Sequence, residues 1–189
     1  MNKLIFYFSS MNSGKSLALL TKDFMLREKN QKTVLLKPSV DVRTKAISSR
    51  IGLESDCITV RPDEDVLTAL NAEVLRTDVE PDFVLVDEAQ FLTREQVWQL
   101  STLVDYYDKT VICYGIKLNW QGNFFEGSEE LMKISDELIQ MDSYCRNTRM
   151  PALFHIKKGG NDEAVETGYE TLYDTVSRKD WRECYNEQT

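Results

Sequence analysis

Eight residues near the amino terminus, Ser9-Ser10-Met11-Asn12-Ser13-Gly14-Lys15-Ser16, end in the Gly-Lys-Ser triplet that closes a phosphate-binding loop. Such a loop turns backbone N–H groups and the positive end of a helix toward phosphate oxygens. Its lysine reaches the β- and γ-phosphates, and its Ser hydroxyl ligates Mg²⁺. The usual spelling, G-x-x-x-x-G-K-[ST], begins with Gly, and here that place is held by Ser9. A second group of reactive residues is Asp87-Glu88, at the end of the apolar run "FVLVDEAQF". In phosphate-loop enzymes the acid ending such a strand holds Mg²⁺ directly or through water. A carboxylate beside the γ-phosphate can orient a nucleophile and accept its proton. The nucleophile is either an alcohol or water, so these motifs leave two classes open: a small-molecule kinase, or an ATP-hydrolysing motor or switch.

The elements that must position these residues can be read from pattern. Strand candidates are 4–8, 33–37, 57–60, 82–86 and 110–116; runs such as "VLLK" and "FVLV" are almost wholly apolar, as strands covered on both faces are. Helical periodicity fills 14–29, 63–76, 93–107 and 129–140, and Thr93 followed by Gln96 has capping-box spacing. Alternating strand and helix predicts an α/β fold, a parallel sheet with helices on both faces. The phosphate loop then joins a strand to a helix, as it must.

After residue 141 the pattern changes. The tail carries two strand candidates, 152–157 and 168–176, around the turn-rich "KKGGNDE", and no long helix. Domains 1–141, for nucleotide, and 142–189, a small lobe covering the first, are expected.

Composition narrows the function. The chain has 189 residues, 42% hydrophobic and 29% charged, with a net charge of −8. That charge argues against general binding to nucleic acid or to an anionic membrane, which need clustered Lys and Arg. No apolar run approaches the ~20 residues of a membrane span. Four scattered cysteines, two of them inside apolar runs, read as reduced thiols, and with no targeting signal they place the chain in the cytoplasm. A chain this short without a basic face favours the kinase over the motor.

The segments "SSMNSGKS", "KPSVDVR", "SSRIGL", "VDEAQFLTREQV", "CYGIKLNWQGNFFEGS" and "YDTVSRKDW" together resemble, in order and over nearly the whole chain, thymidine kinases of the bacterial and cytosolic type. Bacterial members often write the loop S-x-M-N-x-G-K-S, so the resemblance accounts for Ser9. It implies a P-loop NTPase, RecA-like fold with a C-terminal β-rich lid or lasso domain. It also implies ATP-dependent phosphorylation of the thymidine 5′-hydroxyl to give dTMP, with a kinase for another deoxynucleoside such as deoxyuridine, or an inactive ATP-binding relative, as alternatives.

The resemblance further implies roles. Glu88 matches the general base, Lys15 the phosphate lysine, and Ser16 and Asp87 the Mg²⁺ positions. Residues 9–16 with Asp87, Glu88, Ala89 and Gln90 match the ATP site. Asp41 and Arg43 match a D-x-R pair near the transferred phosphate, where Arg43 would offset transition-state charge. Met11, Phe91, Ile116, Trp120 and Phe125 match a pocket for the base, and Tyr173 matches a tyrosine folding over the nucleoside. A homotetramer and feedback inhibition by dTTP are implied in the same way.

Two departures stand out. Relatives commonly bind structural zinc through two pairs of Cys or His, whereas here Cys145 has no close partner of that kind and the second pair becomes Ser177-Arg178-Lys179-Asp180. A zinc-free lobe held by packing of Leu153, Phe154, Leu172, Tyr173 and Trp181 is expected, rather than a site gathered from Cys145, His155, Asp180 and Cys184. The lid also has the single glycine Gly168 where relatives often have a pair.

Overall fold

The computed structural model describes residues 2–39, 46–145, 148–158 and 173–188. Strand β1 (Leu4–Ser9) leads through the phosphate loop into helix α1 (Lys15–Arg27), and β2 (Thr33–Pro38) follows. A short antiparallel hairpin, β3 (Ala46–Ser48) and β4 (Glu54–Asp56), precedes β5 (Ile58–Val60) and α2 (Val66–Thr77). Then come β6 (Phe83–Val86), a 3-10 turn at Ala89–Phe91, α3 (Arg94–Tyr107), β7 (Thr110–Ile116), α4 (Glu126–Ile134) and β8 (Glu137–Gln140). The carboxyl-terminal lobe holds β9 (Ala152–Lys157), β10 (Tyr173–Ser177) and α5 (Arg178–Gln188).

Six strands form one parallel sheet in the order β5-β2-β6-β7-β1-β8. Alternation along β6 explains the two layers of core around it. Val84 and Val86 join a cluster with Val66, Leu70, Val97, Leu100 and Leu131 from α2, α3 and α4. Leu85 faces the other way, with Leu19, Leu20 and Leu26 of α1, Ile112 and Tyr114. Successive side chains on a strand point to opposite faces, so a run of valines and leucines serves both layers. Each such burial contributes about 1.5–3 kcal/mol. The fold is therefore the expected α/β sheet covered on both sides.

Helix starts follow local chemistry. The expected capping box closes α3: the Thr93 side chain accepts from the Gln96 N–H, and the Gln96 side chain accepts from the Thr93 N–H. Asp65 caps α2 by accepting from the Thr68 N–H at 2.7 Å.

Two local expectations are corrected, and a third lies partly outside the described residues. The helix expected over 129–140 spans Glu126–Ile134 instead, and Glu137–Gln140 is the sheet's edge strand beside β1. Asp136 makes the break, its backbone N–H donating to the Leu4 carbonyl and its carboxylate accepting from the Leu4 N–H. The tail, read as lacking a long helix, carries the 11-residue α5. The second strand expected in the lobe is described from Tyr173 onward, and its stretch 168–172, with Gly168, lies outside the described residues.

The lobe is an antiparallel hairpin packed on α5. Phe154 and Trp181 rings lie 5.1 Å apart, as expected of a packed lobe; Leu172 is outside the described residues. Cys145 donates through Sγ to Asp180 at 3.4 Å, and Ser177 donates to the same carboxylate oxygen at 2.8 Å.

Candidate active site

The order β6-β7-β1 puts one strand between the phosphate-loop strand and the strand that ends in Asp87-Glu88. Two inter-strand spacings separate them, about 10 Å. The loop crosses that gap over the end of β7, so that the first turn of α1 reaches the acids. The Ser16 hydroxyl donates to Asp87 Oδ2 at 2.8 Å. Ligands of parallel α/β sheets bind at this carboxyl edge of the strands.

The loop's backbone is special at two residues. Gly14 (φ 78°) and Asn12 (φ 59°) occupy the left-handed region. Gly14 does so at the cap of α1, where no side chain caps the helix and its first N–H groups face the loop. Lys15 is buried and turns its ammonium inward, donating to the Ser10 carbonyl at 2.6 Å. Ser13 donates to the same carbonyl, Ser9 donates to the Met141 carbonyl, and the Ser10 and Ser143 hydroxyls hydrogen-bond to each other. Asn12 accepts a hydrogen bond from Arg50 of the β3–β4 turn, a contact that no local pattern announces.

Asp87 is almost wholly buried, and its Oδ1 makes no hydrogen bond. Burial, and then the neighbouring Glu88 charge, push its carboxyl up to about 6. An acceptor buried without a donor, next to a hydroxyl that serves the other oxygen, is the chemistry of a hard cation's ligand set. Ser16 and Asp87 therefore fit a Mg²⁺ site.

Glu88 sits in the left-handed region at φ 52°, an uncommon backbone for a non-glycine residue and a frequent one at functional sites. Its half-buried carboxylate accepts from Gln90 Nε2 at 2.5 Å. Gln90, 2% exposed, is in turn oriented by the Ile116 N–H, which donates to its Oε1 at 3.1 Å. Gly115 makes room for it, since a Cβ there would stand 3.0 Å from Gln90 Oε1 and 3.1 Å from the Gln90 backbone nitrogen. Ala89, fully buried in the same 3-10 turn, anchors this arrangement to the core.

The apolar candidates fall into two groups. Phe91 and Phe125 meet edge to face with ring centroids 5.6 Å apart. Trp120 and Tyr173 both lie near the Lys157 ammonium, at 5.8 and 6.0 Å from its nitrogen to their ring centroids. The lobe docks on this segment through Trp181, whose indole donates to the Trp120 carbonyl at 2.9 Å and covers Gly122. Met11 is half-buried and held by the lobe. Ile116 takes part through its backbone N–H. Asp41 and Arg43 lie outside the described residues.

One residue considered for metal binding has another place. His155 is 1% exposed and its Nε2 accepts from the Met11 N–H at 2.8 Å, so it belongs to the phosphate loop and not beside Cys145 and Asp180. Among the described residues no three His, Cys, Asp or Glu side chains gather as a metal site.

Comparisons with known proteins give the family. The family model described as thymidine kinase matches residues 2–181. A thymidine kinase of Rhodopirellula baltica is 38% identical over 192 residues, 97% of this chain and 90% of the relative. One of Novosphingobium aromaticivorans is 41% identical over 174 residues, 90% of this chain and 88% of the relative. One of Photobacterium profundum is 35% identical over 193 residues, 97% of this chain and 98% of the relative. Among solved structures, Pif1 helicase from Candida albicans aligns with 72% of this chain and 35% of its own, at TM-score 0.47 and 13% identity, too distant to bear on function. The phosphate loop, the acid pair that closes on it and the match along nearly the whole chain lead to one assignment: this chain belongs to the thymidine kinase family.

Proposed function

We propose that the protein transfers the γ-phosphoryl group of ATP to the 5′-hydroxyl of thymidine, giving dTMP. The observation that carries this reading is the convergence of Lys15, Ser16, Asp87 and Glu88 at one edge of the sheet, with Ser16 bonded to Asp87 and Glu88 held by Gln90. The loop 9–16, with the start of the 3-10 turn at Ala89 and Gln90, cradles the phosphates through N–H groups and the Lys15 ammonium. Ser16 and Asp87 hold the Mg²⁺ that accompanies ATP. The chemistry such an ion supplies when bound is neutralisation of phosphate charge.

Glu88 is the general base. Its carboxylate accepts the 5′-hydroxyl proton as the oxygen attacks, and its left-handed backbone with the Gln90 hydrogen bond fixes where that oxygen stands. Arg43 and Asp41 act at the transferred phosphate. The base lies among Met11, Phe91, Ile116, Trp120, Phe125 and Tyr173, where aromatic rings cover a flat pyrimidine and exclude water. Residues 1–141 form the ATP domain and 142–189 the lobe over the nucleoside. Kinship with the bacterial enzymes supports a cytoplasmic homotetramer inhibited by dTTP, and the replacement of the relatives' second ligand pair by Ser177-Arg178-Lys179-Asp180 supports a lobe without structural zinc; light scattering, inhibition assays and metal analysis check these.

Glu88→Gln tests the mechanism. It keeps the side-chain volume and removes the base, so turnover falls about 10²–10⁴-fold while ATP affinity holds within a few-fold. Full turnover in that variant refutes the role given to Glu88.

A further inference from the structure

The carboxyl-terminal hairpin grips the phosphate loop at a single residue. His155 of β9 accepts from the Met11 N–H at 2.8 Å, and Thr175 of β10 donates to the Met11 carbonyl at 3.2 Å. The register places His155 and Thr175 directly opposite each other. One cross-strand pair thus binds both backbone groups of one loop residue.

The same face of the hairpin carries a second pair. Side chains two residues apart on a strand share a face, and Tyr173 stands opposite Lys157, two residues from Thr175 and His155. Lys157 lies against the rings of Trp120 and Tyr173. A single hairpin face therefore touches the segment proposed to hold the nucleoside at one end and the loop proposed to hold the phosphates at the other. The imidazole joins a third segment, being hydrogen-bonded on its other side to the Leu118 backbone.

The chemistry of the imidazole suits a fixed link. Accepting at Nε2 requires the neutral ring with its proton on Nδ1. Burial, and then the charge of Lys15, hold His155 neutral by pushing it down to about 4. The link is consequently intact across the physiological range. Met11 is followed directly by the left-handed Asn12 and by the turn into α1, so a shift of its backbone re-aims the N–H groups that follow.

We infer that His155 and Thr175 are positioning residues that couple the two substrate sites: the hairpin that bears on Trp120 at one end sets the Met11 backbone, and with it the phosphate loop, at the other, so that thymidine and ATP tighten each other's binding. The inference rests on the proposed function, and on the loop 9–16 and the pocket at Trp120 and Tyr173 being the two substrate sites. Coupling of this kind is reciprocal, and a few-fold to about a hundredfold is its usual size.

Calorimetry on the full chain tests it, with thymidine titrated in the presence and absence of a non-hydrolysable ATP analogue and Mg²⁺, and the analogue titrated with and without thymidine. The wild-type protein should show about a tenfold mutual tightening. Thr175→Val, which keeps shape and removes the hydroxyl donor, should reduce the ratio severalfold. His155→Leu should bring it close to one, and His155→Gln, whose amide oxygen accepts from the Met11 N–H, should recover most of it. If the wild type binds neither ligand, the underlying functional reading fails. If it binds both and the ratio is one, or folded Thr175→Val keeps the wild-type ratio, the coupling role is overturned.

Discussion

Gln90→Leu isolates the orientation of Glu88 from its presence. Leu nearly fills the volume of Gln but offers neither the donor that holds the Glu88 carboxylate nor the acceptor for the Ile116 N–H. A hydrogen bond to a charged group contributes about 1.5–3 kcal/mol. If it serves mainly to aim the base, that difference appears in the transition state, and kcat falls about ten- to a hundredfold. The ATP KM should change less than threefold, because Lys15, Ser16 and Asp87 are untouched. The loss of a buried amide bonded at both its nitrogen and its oxygen also costs about 1–3 kcal/mol of stability, which in a chain of this size lowers Tm by about 3–10 °C. Steady-state rates of dTMP formation at a temperature well below the lower Tm separate the two effects. A kcat within twofold of wild type, in a protein destabilised as expected, refutes the claim that Gln90 aims the base.

Two further outcomes follow from other parts of the site. Asp87→Asn should raise the Tm of the ligand-free protein at pH 7 by a few degrees while lowering activity, because the buried carboxyl is pushed up to about 6 from an ordinary 3.8. The folded chain then binds a proton that the unfolded chain does not, so this group's contribution is full below about pH 4 and is lost as the pH rises through 6; thermal melts between pH 4 and 8 should show that slope flattened in the variant. Gly122→Ala places a Cβ 2.8 Å from the Trp181 ring in a backbone with φ 83°. The lobe's docking should weaken by about 1–3 kcal/mol, seen as a severalfold rise in the thymidine KM, and an unchanged KM would contradict that placement.

Much of the frame was legible because burial leaves a local mark. Runs such as "FVLV" have few homes outside a covered parallel strand, and Thr93 with Gln96 announces the start of α3 without any help from the fold. Glu137–Gln140 misled because Leu131, Ile134 and Leu138 continue a helical spacing; what turns that stretch into a strand is pairing with β1, more than a hundred residues away. α5 was hidden by its polarity, although Trp181 packs on Phe154. At the site, the loop and the acid pair were visible as motifs. Gln90 was visible only as part of a family segment, and its link to Ile116 is a matter of three-dimensional approach over Gly115. His155 gave no signal of its role, since a lone histidine carries no pattern and its partner Met11 is 144 positions distant.

The most direct test is a product assay on the purified chain with ATP and Mg²⁺ against a panel of nucleosides at equal concentration: thymidine, deoxyuridine, deoxycytidine and deoxyadenosine, with a no-nucleoside control for ATP hydrolysis. The account predicts dTMP from thymidine as the dominant product, a lesser product from deoxyuridine, which lacks only the methyl group, and little ADP without an acceptor. Faster turnover of another nucleoside, or steady ATP hydrolysis with no phosphorylated nucleoside, would contradict it.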